Sequence, residues 1–366
     1  MRKEEMMKVV FYISSLSRGG AERVVTTLAR QMKNQFDVTV ITDTVSGNEY
    51  DAVDFERINM GYVVYPDILR RVVHKVFYLI RLKRKIKKIN PDVVISFSID
   101  SALRMKKAMG KTSIKQILSV RSNPSVDYKC KEEIEKVVVQ IKDFDGFVFQ
   151  TEQQRDFFGK EIAEKSVIIL NPMAEEFLNE IASGEKRREV ATFGRLTKSK
   201  DHVTLLHAYD LAAEKLPDYI FSIYGEGELR EEMEKIHRTL TYSERIVLQG
   251  ECSNVKERMR QTEVFVLSSA NEGLPNALME AMAMSLPVIS TACPCGGPET
   301  VIEQGINGLL VPVGDKKAIA DAIVDLCTNR EKARKLGEEA TKLKLRCNPQ
   351  IIAEQWKNYI QKIMSK

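Results

Sequence analysis

The stretch Val264–Ser290 reads VFVLSSANEGLPNALMEAMAMSLPVIS. Four apolar residues, Val264–Leu267, end at two serines. A turn containing Gly273 and Pro275 follows, then an apolar helix opening near Pro275, then a second apolar run, Pro287–Ser290. Two short apolar runs bracketing a helix are the pattern of parallel strands joined by a crossover and buried on both faces. Two carboxylates interrupt this apolar stretch. Glu272 lies in the loop just after the strand, and Glu280 is expected two turns into the helix on about the same face. A buried helix avoids a glutamate unless it has a partner. Capping or a salt bridge would supply one; so would a ligand, because carboxylates accept from sugar hydroxyls while the free N–H groups around Pro275–Ala277 meet phosphate.

Outward from this unit the pattern repeats. Upstream, strands are expected at Val9–Ser14, Val38–Thr42, Asp92–Phe97, Lys115–Val120, Gly146–Gln150 and Ser166–Leu170, with helices clearest at Ala21–Met32 and Ile68–Lys88. A second series runs Val190–Phe193, Ile220–Tyr224, Arg245–Leu248, Val264–Leu267, Pro287–Ser290 and Gly308–Val311. Strands alternating with helices predict an α/β fold of two Rossmann-like domains, each built on a parallel sheet. At 366 residues the chain suits two domains rather than one core. The expected organisation is 1–172, a hinge at 173–188 containing the charged stretch Ala182–Glu189, a second domain at 189–347, and a helix at 348–366 that packs back on the first domain. Open α/β sheets bind ligands at the carboxyl ends of their strands, so a deep cleft between the domains is the expected site.

Composition narrows the functional classes. With 43% hydrophobic and 29% charged residues the chain reads as an ordinary folded protein. Met1–Met7 is polar, Lys8–Ile13 is too short for a signal peptide, and no apolar run approaches about 20 residues, so a cytoplasmic protein is expected. Six cysteines imply reduced thiols, and Cys293 with Cys295 lacks the partner pair of a metal site. Up to Glu175 there are 30 Lys and Arg against 23 Asp and Glu, leaving 26 against 28 for the remainder. The first half therefore looks toward something anionic, although nothing suggests nucleic acid.

Two glycine turns have phosphate-binding character. Gly19-Gly20, in SLSRGGAE, follows the first strand and opens the first helix, where backbone N–H groups can approach an anion. It is neither a full dinucleotide fingerprint nor a Walker loop. In the second half Gly194-Arg195-Leu196-Thr197-Lys198-Ser199-Lys200 places two cations after a strand and around a helix start. Arg195 offers a planar fork and Lys200 a mobile point charge, a pair suited to a pyrophosphate. Asp143-Phe144-Asp145 imitates a metal-binding D-x-D but precedes a strand, so no metal and no cofactor are expected.

These segments, with Gly225-Glu226-Gly227, Glu272-Gly273-Leu274-Pro275…Glu280, Gly305…Asn307-Gly308 and Val311-Pro312, resemble family 4 of the retaining two-domain glycosyltransferases, of the GT-B fold. The resemblance runs through the chain in order. Ser119–Pro124, Phe149–Glu152 and Asn171-Pro172 are similar to the bacterial members that assemble surface polysaccharides and lipid-linked oligosaccharides. It implies a nucleotide-sugar donor, UDP-linked, carrying a hexose or N-acetylhexosamine, and a lipid-linked or polysaccharide acceptor. Arg195 and Lys200 would hold the pyrophosphate, Glu272 the donor sugar and Glu280 the ribose. Gly273, Leu274, Pro275, Asn276 and Ala277 would contact sugar and phosphate. Gly225 and Gly227 would line the nucleotide, Gly19, Gly20 and Gly194 would complete the donor site, and Arg121 and Asn123 would meet the acceptor. Arg195, Lys200 and Glu272 would carry catalysis. One departure stands out: many members have a histidine where this chain has Ser96-Phe97-Ser98, so no catalytic histidine is expected. A nucleotide-sugar epimerase and a non-catalytic nucleotide-sugar-binding protein are the alternatives.

The segment Ile68–Lys88 holds Leu69, Val72, Val73, Val76 and Ile80 at helical spacing among nine Lys and Arg, with no Asp or Glu. It reads as a domain helix with a solvated basic face, or as a peripheral contact for anionic lipid or a lipid pyrophosphate at the inner face of the plasma membrane.

Overall fold

The computed structural model describes residues 6–17, 19–179 and 187–366. It divides into two compact units, one running to Pro172 and regaining Pro349–Lys366, the other spanning Met173–Asn348. The stretch expected as a hinge, 173–188, falls within the second of these units. Met173 already belongs to the second unit, a helical turn forms at Glu175–Leu178, and Arg187 N donates to Gln261 O at 2.9 Å. The middle of the stretch, 180–186, lies outside the described residues.

The first unit is a seven-stranded sheet: β1 Lys8–Ile13, β2 Asp37–Thr42, β3 Glu56–Asn59, β4 Val93–Ser96, β5 Lys115–Ser119, β6 Gly146–Phe149 and β7 Ser166–Ile168. Its order is β3-β2-β1-β4-β5-β6-β7, and every pair is parallel. The strand not expected from sequence is β3. Its ERIN has no apolar run because it is an edge strand with no fully buried side chain. Around the sheet lie α1 (Gly20–Met32), α2 (Ile68–Ile89) and α3 (Ile99–Met109). The C-terminal helix, Pro349–Met364, belongs to this unit. Trp356 is fully buried 5.9 Å from the Phe97 ring, and the Tyr359 hydroxyl accepts from Phe147 N at 2.9 Å.

A buried polar knot ties α2 to the sheet. Tyr12 and Tyr78 both donate to Asp43 Oδ1, the former at 2.5 Å, and Arg104 on α3 pairs with Oδ2. Burial, with Asp43 alongside, pushes both phenols well above their usual range, so both stay protonated and remain donors. Replacing Tyr78 by Phe keeps the ring and removes one donor to a buried carboxylate. We expect this unit to lose about 1.5–3 kcal/mol, read as a lower urea midpoint; an unchanged midpoint would show that the knot contributes nothing.

The second unit is a six-stranded parallel sheet: β8 Glu189–Phe193, β9 Ile220–Tyr224, β10 Ile246–Gly250, β11 Val264–Leu267, β12 Val288–Thr291 and β13 Leu309–Val311, ordered β10-β9-β8-β11-β12-β13. Its site-bearing helices are α4 (His202–Lys215) and α5 (Asn276–Ala283). In both sheets the order reverses beside the first strand, which opens a crevice at the carboxyl ends of β1 and β4 and of β8 and β11.

Candidate active site

In the second unit that crevice gathers the charged residues. β8 runs into Gly194–Thr197, a 3₁₀ turn follows at Lys198–Lys200, and Asp201 caps α4 by accepting from Thr204 N at 3.2 Å. β11 runs into Ser268–Pro275. The two loops are stitched together: Ala270 N donates to Ser199 O at 2.8 Å and Ser268 Oγ to Lys200 O at 2.9 Å. This brings Lys200 Nζ to Glu272 Oε1 at 2.5 Å, and Ser269 Oγ donates to the same oxygen at 2.7 Å. Thr291 Oγ1 holds Ser269 O at 2.6 Å. The lower side of the loop is fixed too, with Glu272 N donating to Pro294 O at 3.0 Å and Cys295 N and Sγ each 3.3 Å from Glu272 O. Two groups expected to act separately, a phosphate cation and a sugar-binding carboxylate, are thus one half-buried ion pair.

Arg195 is exposed and forms no ion pair among the described residues, so its fork is available to an anion. It is bracketed by close backbone contacts. A Cβ on Gly225 would lie 1.9 Å from Gly194 O, and one on Gly227 2.5 Å from Leu196 O. Gly225 and Gly227 are therefore required for packing against the Arg195 loop, whatever they contact beyond it. Gly273 is approached in the same way, its carbonyl lying 1.7 Å from where a Gly297 Cβ would stand. Pro275 caps α5 rather than sitting inside its first turn. Glu280 is thus the fifth residue of the helix and stands one turn in, not two. It is buried, whereas Asn276 and Ala277 are half-exposed at the helix start. His202 lies behind Lys200; burial, reinforced by that cation, pulls its imidazole down to about 4, so it is neutral at pH 7.

The first unit presents a different set. Gly19 caps α1, which opens at Gly20, and Ala21 and Glu22 line a cavity of about 510 Å³ together with Ser98, Asp100, Arg121 and Asp127. Arg121 is held in place by Nε donating to Ser119 Oγ at 2.8 Å and Nη1 to Asn171 Oδ1 at 3.0 Å. Its guanidinium stands 5.8 Å from the Phe97 ring and 5.5 Å from Trp356. Burial lowers its pKa, and its buried Nη2 has no hydrogen-bond partner among the described residues. Asn123 is occupied locally: its Oδ1 accepts from Ser125 N at 3.0 Å and Ser125 Oγ at 2.8 Å. Where a histidine was absent by comparison with the family, Phe97 packs on Trp356 and Ser98 Oγ caps α3 by accepting from Ser101 N at 3.1 Å. The D-x-D lookalike is spent on surface ion pairs, Asp143 with Lys106 and Asp145 with Lys115.

Sequence reasoning passed over Ser269, Asp100 and Asp127. The hydroxyl pair Ser268-Ser269 directly after a fully apolar strand was the available signal for the first. The two aspartates lie on different helical segments, Asp100 in the first turn of α3 and Asp127 at the end of the short helix Pro124–Asp127, and meet only through the fold; burial, with Asp100 nearby, raises the Asp127 carboxyl.

Comparison with known proteins bears on both halves. Residues 18–173 match the family model described as Glycosyltransferase Family 4, and residues 173–343 the one described as Glycosyl transferases group 1. The chain is 26% identical, over 98% of itself and 99% of the relative, to a Campylobacter jejuni protein named GalNAc-alpha-(1->4)-GalNAc-alpha-(1->3)-diNAcBac-PP-undecaprenol alpha-1,4-N-acetyl-D-galactosaminyltransferase. A second C. jejuni protein, N-acetylgalactosamine-N,N'-diacetylbacillosaminyl-diphospho-undecaprenol 4-alpha-N-acetylgalactosaminyltransferase, is 25% identical over 86% of this chain and 88% of its own length. Among solved structures, Anabaena HepE in complex with UDP superposes with a TM-score of 0.81 at 15% identity, covering 97% of this chain and 100% of HepE, a likeness of fold.

Proposed function

Because the chain belongs to the family 4 glycosyltransferases of the bacterial surface-glycan type, two-domain enzymes that transfer hexosyl groups, we propose that it moves a hexose or N-acetylhexosamine, with retention, from a UDP-sugar to a lipid-linked saccharide. The observation that carries this reading is the Lys200–Glu272–Ser269 constellation beside the exposed Arg195. The donor pyrophosphate lies against Arg195 and Lys200, whose charges stabilise the leaving diphosphate as the glycosidic bond breaks. Glu272 Oε1 is already engaged by Lys200 and Ser269, so Oε2 accepts from a sugar hydroxyl. Glu280 accepts from the ribose. The chemistry needs no protein nucleophile: the departing phosphate takes the acceptor proton on the face it leaves, and the protein supplies orientation and charge. UDP is supported by the nucleotide bound in HepE, and a lipid diphosphate acceptor by the substrates named in the two C. jejuni relatives. The acceptor side is assigned to the first unit through Arg121, with the basic segment Ile68–Lys88 holding the enzyme at the anionic inner face of the plasma membrane.

Transfer of labelled sugar from a panel of UDP-sugars to lipid-pyrophosphate saccharides, with the product anomer read by NMR, tests this reading. An inverted anomer, or UDP-sugars that neither bind nor react, would replace it. The division of labour has its own test by calorimetry. Glu280→Gln should weaken free UDP by about 10-fold or more, since a hydrogen bond to a charged group is lost. Glu272→Gln should leave free UDP unchanged and weaken the complete donor. Equal UDP affinity in both variants would dissolve the assignment.

A further inference from the structure

The cavity of about 510 Å³ in the first unit carries a charge opposite to that of the chain around it. Its charged lining is Glu22, Asp100, Asp127 and Arg121, three carboxylates to one guanidinium, inside a half of the chain where Lys and Arg outnumber Asp and Glu. Neither Asp100 nor Asp127 has a side-chain hydrogen bond or an ion pair among the described residues. Burial, with Asp100 nearby, raises the Asp127 carboxyl, and burial with both carboxylates raises the Tyr128 phenol. Tyr128 lines the same cavity and stays protonated, so it is a further donor there. Arg121 is the one cation of the lining. Its Nε and Nη1 are spent on Ser119 and Asn171, while its buried Nη2 has no hydrogen-bond partner among the described residues. A buried donor on a charged group is costly to leave unmade, and this one lies beside an open cavity.

The two kinds of group make opposite demands on a ligand. Carboxylates without partners call for O–H or N–H donors, and Arg121 Nη2 calls for an oxygen lone pair. A simple anion would satisfy Arg121 and be repelled by three carboxylates. A bare cation would do the reverse, and no cluster among the described residues is suited to a metal ion. A sugar ring answers both demands, its hydroxyls donating to the carboxylates while one of its oxygens accepts from Arg121. We propose that Asp100 and Asp127 set the charge of the acceptor: they hold hydroxyl or amino groups of its terminal sugar and exclude a sugar that carries a carboxylate. Selection of this kind comes from repelling the wrong ligand as much as from attracting the right one. The inference rests on the acceptor assignment through Arg121 and adds to it the class of sugar admitted.

The test titrates the full chain with the methyl α-glycosides of galactosamine, N-acetylgalactosamine and galacturonic acid. Near neutral pH these are one ring carrying positive, no and negative charge. Affinity is read by ligand-observed NMR at fixed ionic strength. Trp356, the only tryptophan, reports on the place of binding, because its ring stands 5.5 Å from the Arg121 guanidinium and its emission should change when Arg121 is engaged. The native chain should bind the amine about 3- to 10-fold more tightly than the acetamide, and the uronate weaker than the acetamide by a similar factor. Asp100→Asn combined with Asp127→Asn should bring all three within about 2-fold, leaving Glu22 and Arg121 to offset each other. Both aspartates are exposed, so the fold should survive, with circular dichroism as the check. The order in the native chain stands as a test even without the variant. Equal affinities, a uronate that binds best through Arg121, or an order that persists in the double variant would overturn the role of the two aspartates while leaving the acceptor assignment in place. Transfer to a lipid-pyrophosphate saccharide by a native chain that binds none of the glycosides, or binds them with no change at Trp356, would instead sink the acceptor assignment through Arg121 and this inference with it.

Discussion

Replacing Lys200 by alanine should lower turnover by about 10²- to 10³-fold while leaving the circular dichroism spectrum unchanged, because one side chain serves two charges. Its ammonium is proposed to stabilise the leaving phosphate, and removing one preorganised donor of this kind costs that much in comparable sites. It is also the partner of Glu272, 2.5 Å away and only 22% exposed, against 13% for the carboxylate. Without it Glu272 keeps only Ser269 on Oε1, and a largely buried carboxylate is left short of a countercharge. Lys200→Arg should recover little, since a planar fork cannot replace a point charge at that distance. The pair should behave as a unit: Lys200→Ala combined with Glu272→Gln should be scarcely worse than the worse single variant. Arg195→Ala gives the cleaner comparison, because Arg195 is exposed and without an ion pair among the described residues. Its loss should cost roughly 10- to 150-fold with no change in stability. Multiplicative losses at Lys200 and Glu272 would show that the two act independently rather than as a unit; near-native turnover in Lys200→Ala would mean that the pair is structural and the phosphate is held elsewhere.

The strands were legible where both faces are covered. Val264–Leu267 and Val93–Ser96 are buried end to end, and an unbroken apolar run is the signature of that environment. β3 was not legible, since an edge strand with one weakly covered face carries no such run. For α2 the spacing predicted a helix but could not say which face the fold would cover. Helical periodicity reports that apolar residues share a side, and only tertiary structure decides whether that side meets a sheet or solvent. The same limit applied to the site. Arg195, Lys200, Glu272 and Glu280 stood out by residue type and by their place after strands. That Lys200 and Glu272, 72 positions apart, would share one ion pair depended on two loops meeting at the β8–β11 reversal. Arg121 was suggested by resemblance alone; of its two aromatic neighbours Phe97 is nearby in the sequence, but Trp356 lies more than 200 residues away and is brought over by the C-terminal helix.

The glycines of the site lead to the other large effect. Gly225→Ala and Gly297→Ala should each destabilise the second unit by at least about 3 kcal/mol, because a methyl group would meet backbone rather than a movable side chain. The new Cβ would lie 1.9 Å from Gly194 O in the first case and 1.7 Å from Gly273 O in the second, and carbonyls in tight loops cannot give by more than an ångström without breaking their hydrogen bonds. The bonds at stake are specific. Gly194 N donates to Tyr224 O at 2.9 Å and Leu196 N to Glu226 O at 2.9 Å, and these fix the backbone on both sides of Arg195. Gly225 also has φ +150, a conformation alanine rarely adopts. Gly314→Ala is the control: its φ is +72, but nothing lies within 4 Å of the added methyl, so only the left-handed backbone penalty of about 1–2 kcal/mol applies. Urea unfolding should therefore separate Gly225 and Gly297 from Gly314, and donor affinity should fall with the first two and hold in the third. The loss of affinity would then come from displacing Arg195 and Glu272, not from filling a nucleotide pocket. If Gly225→Ala unfolds at the native midpoint yet fails to bind UDP-sugar, the glycine is needed for ligand access alone, and the packing explanation for its presence is wrong.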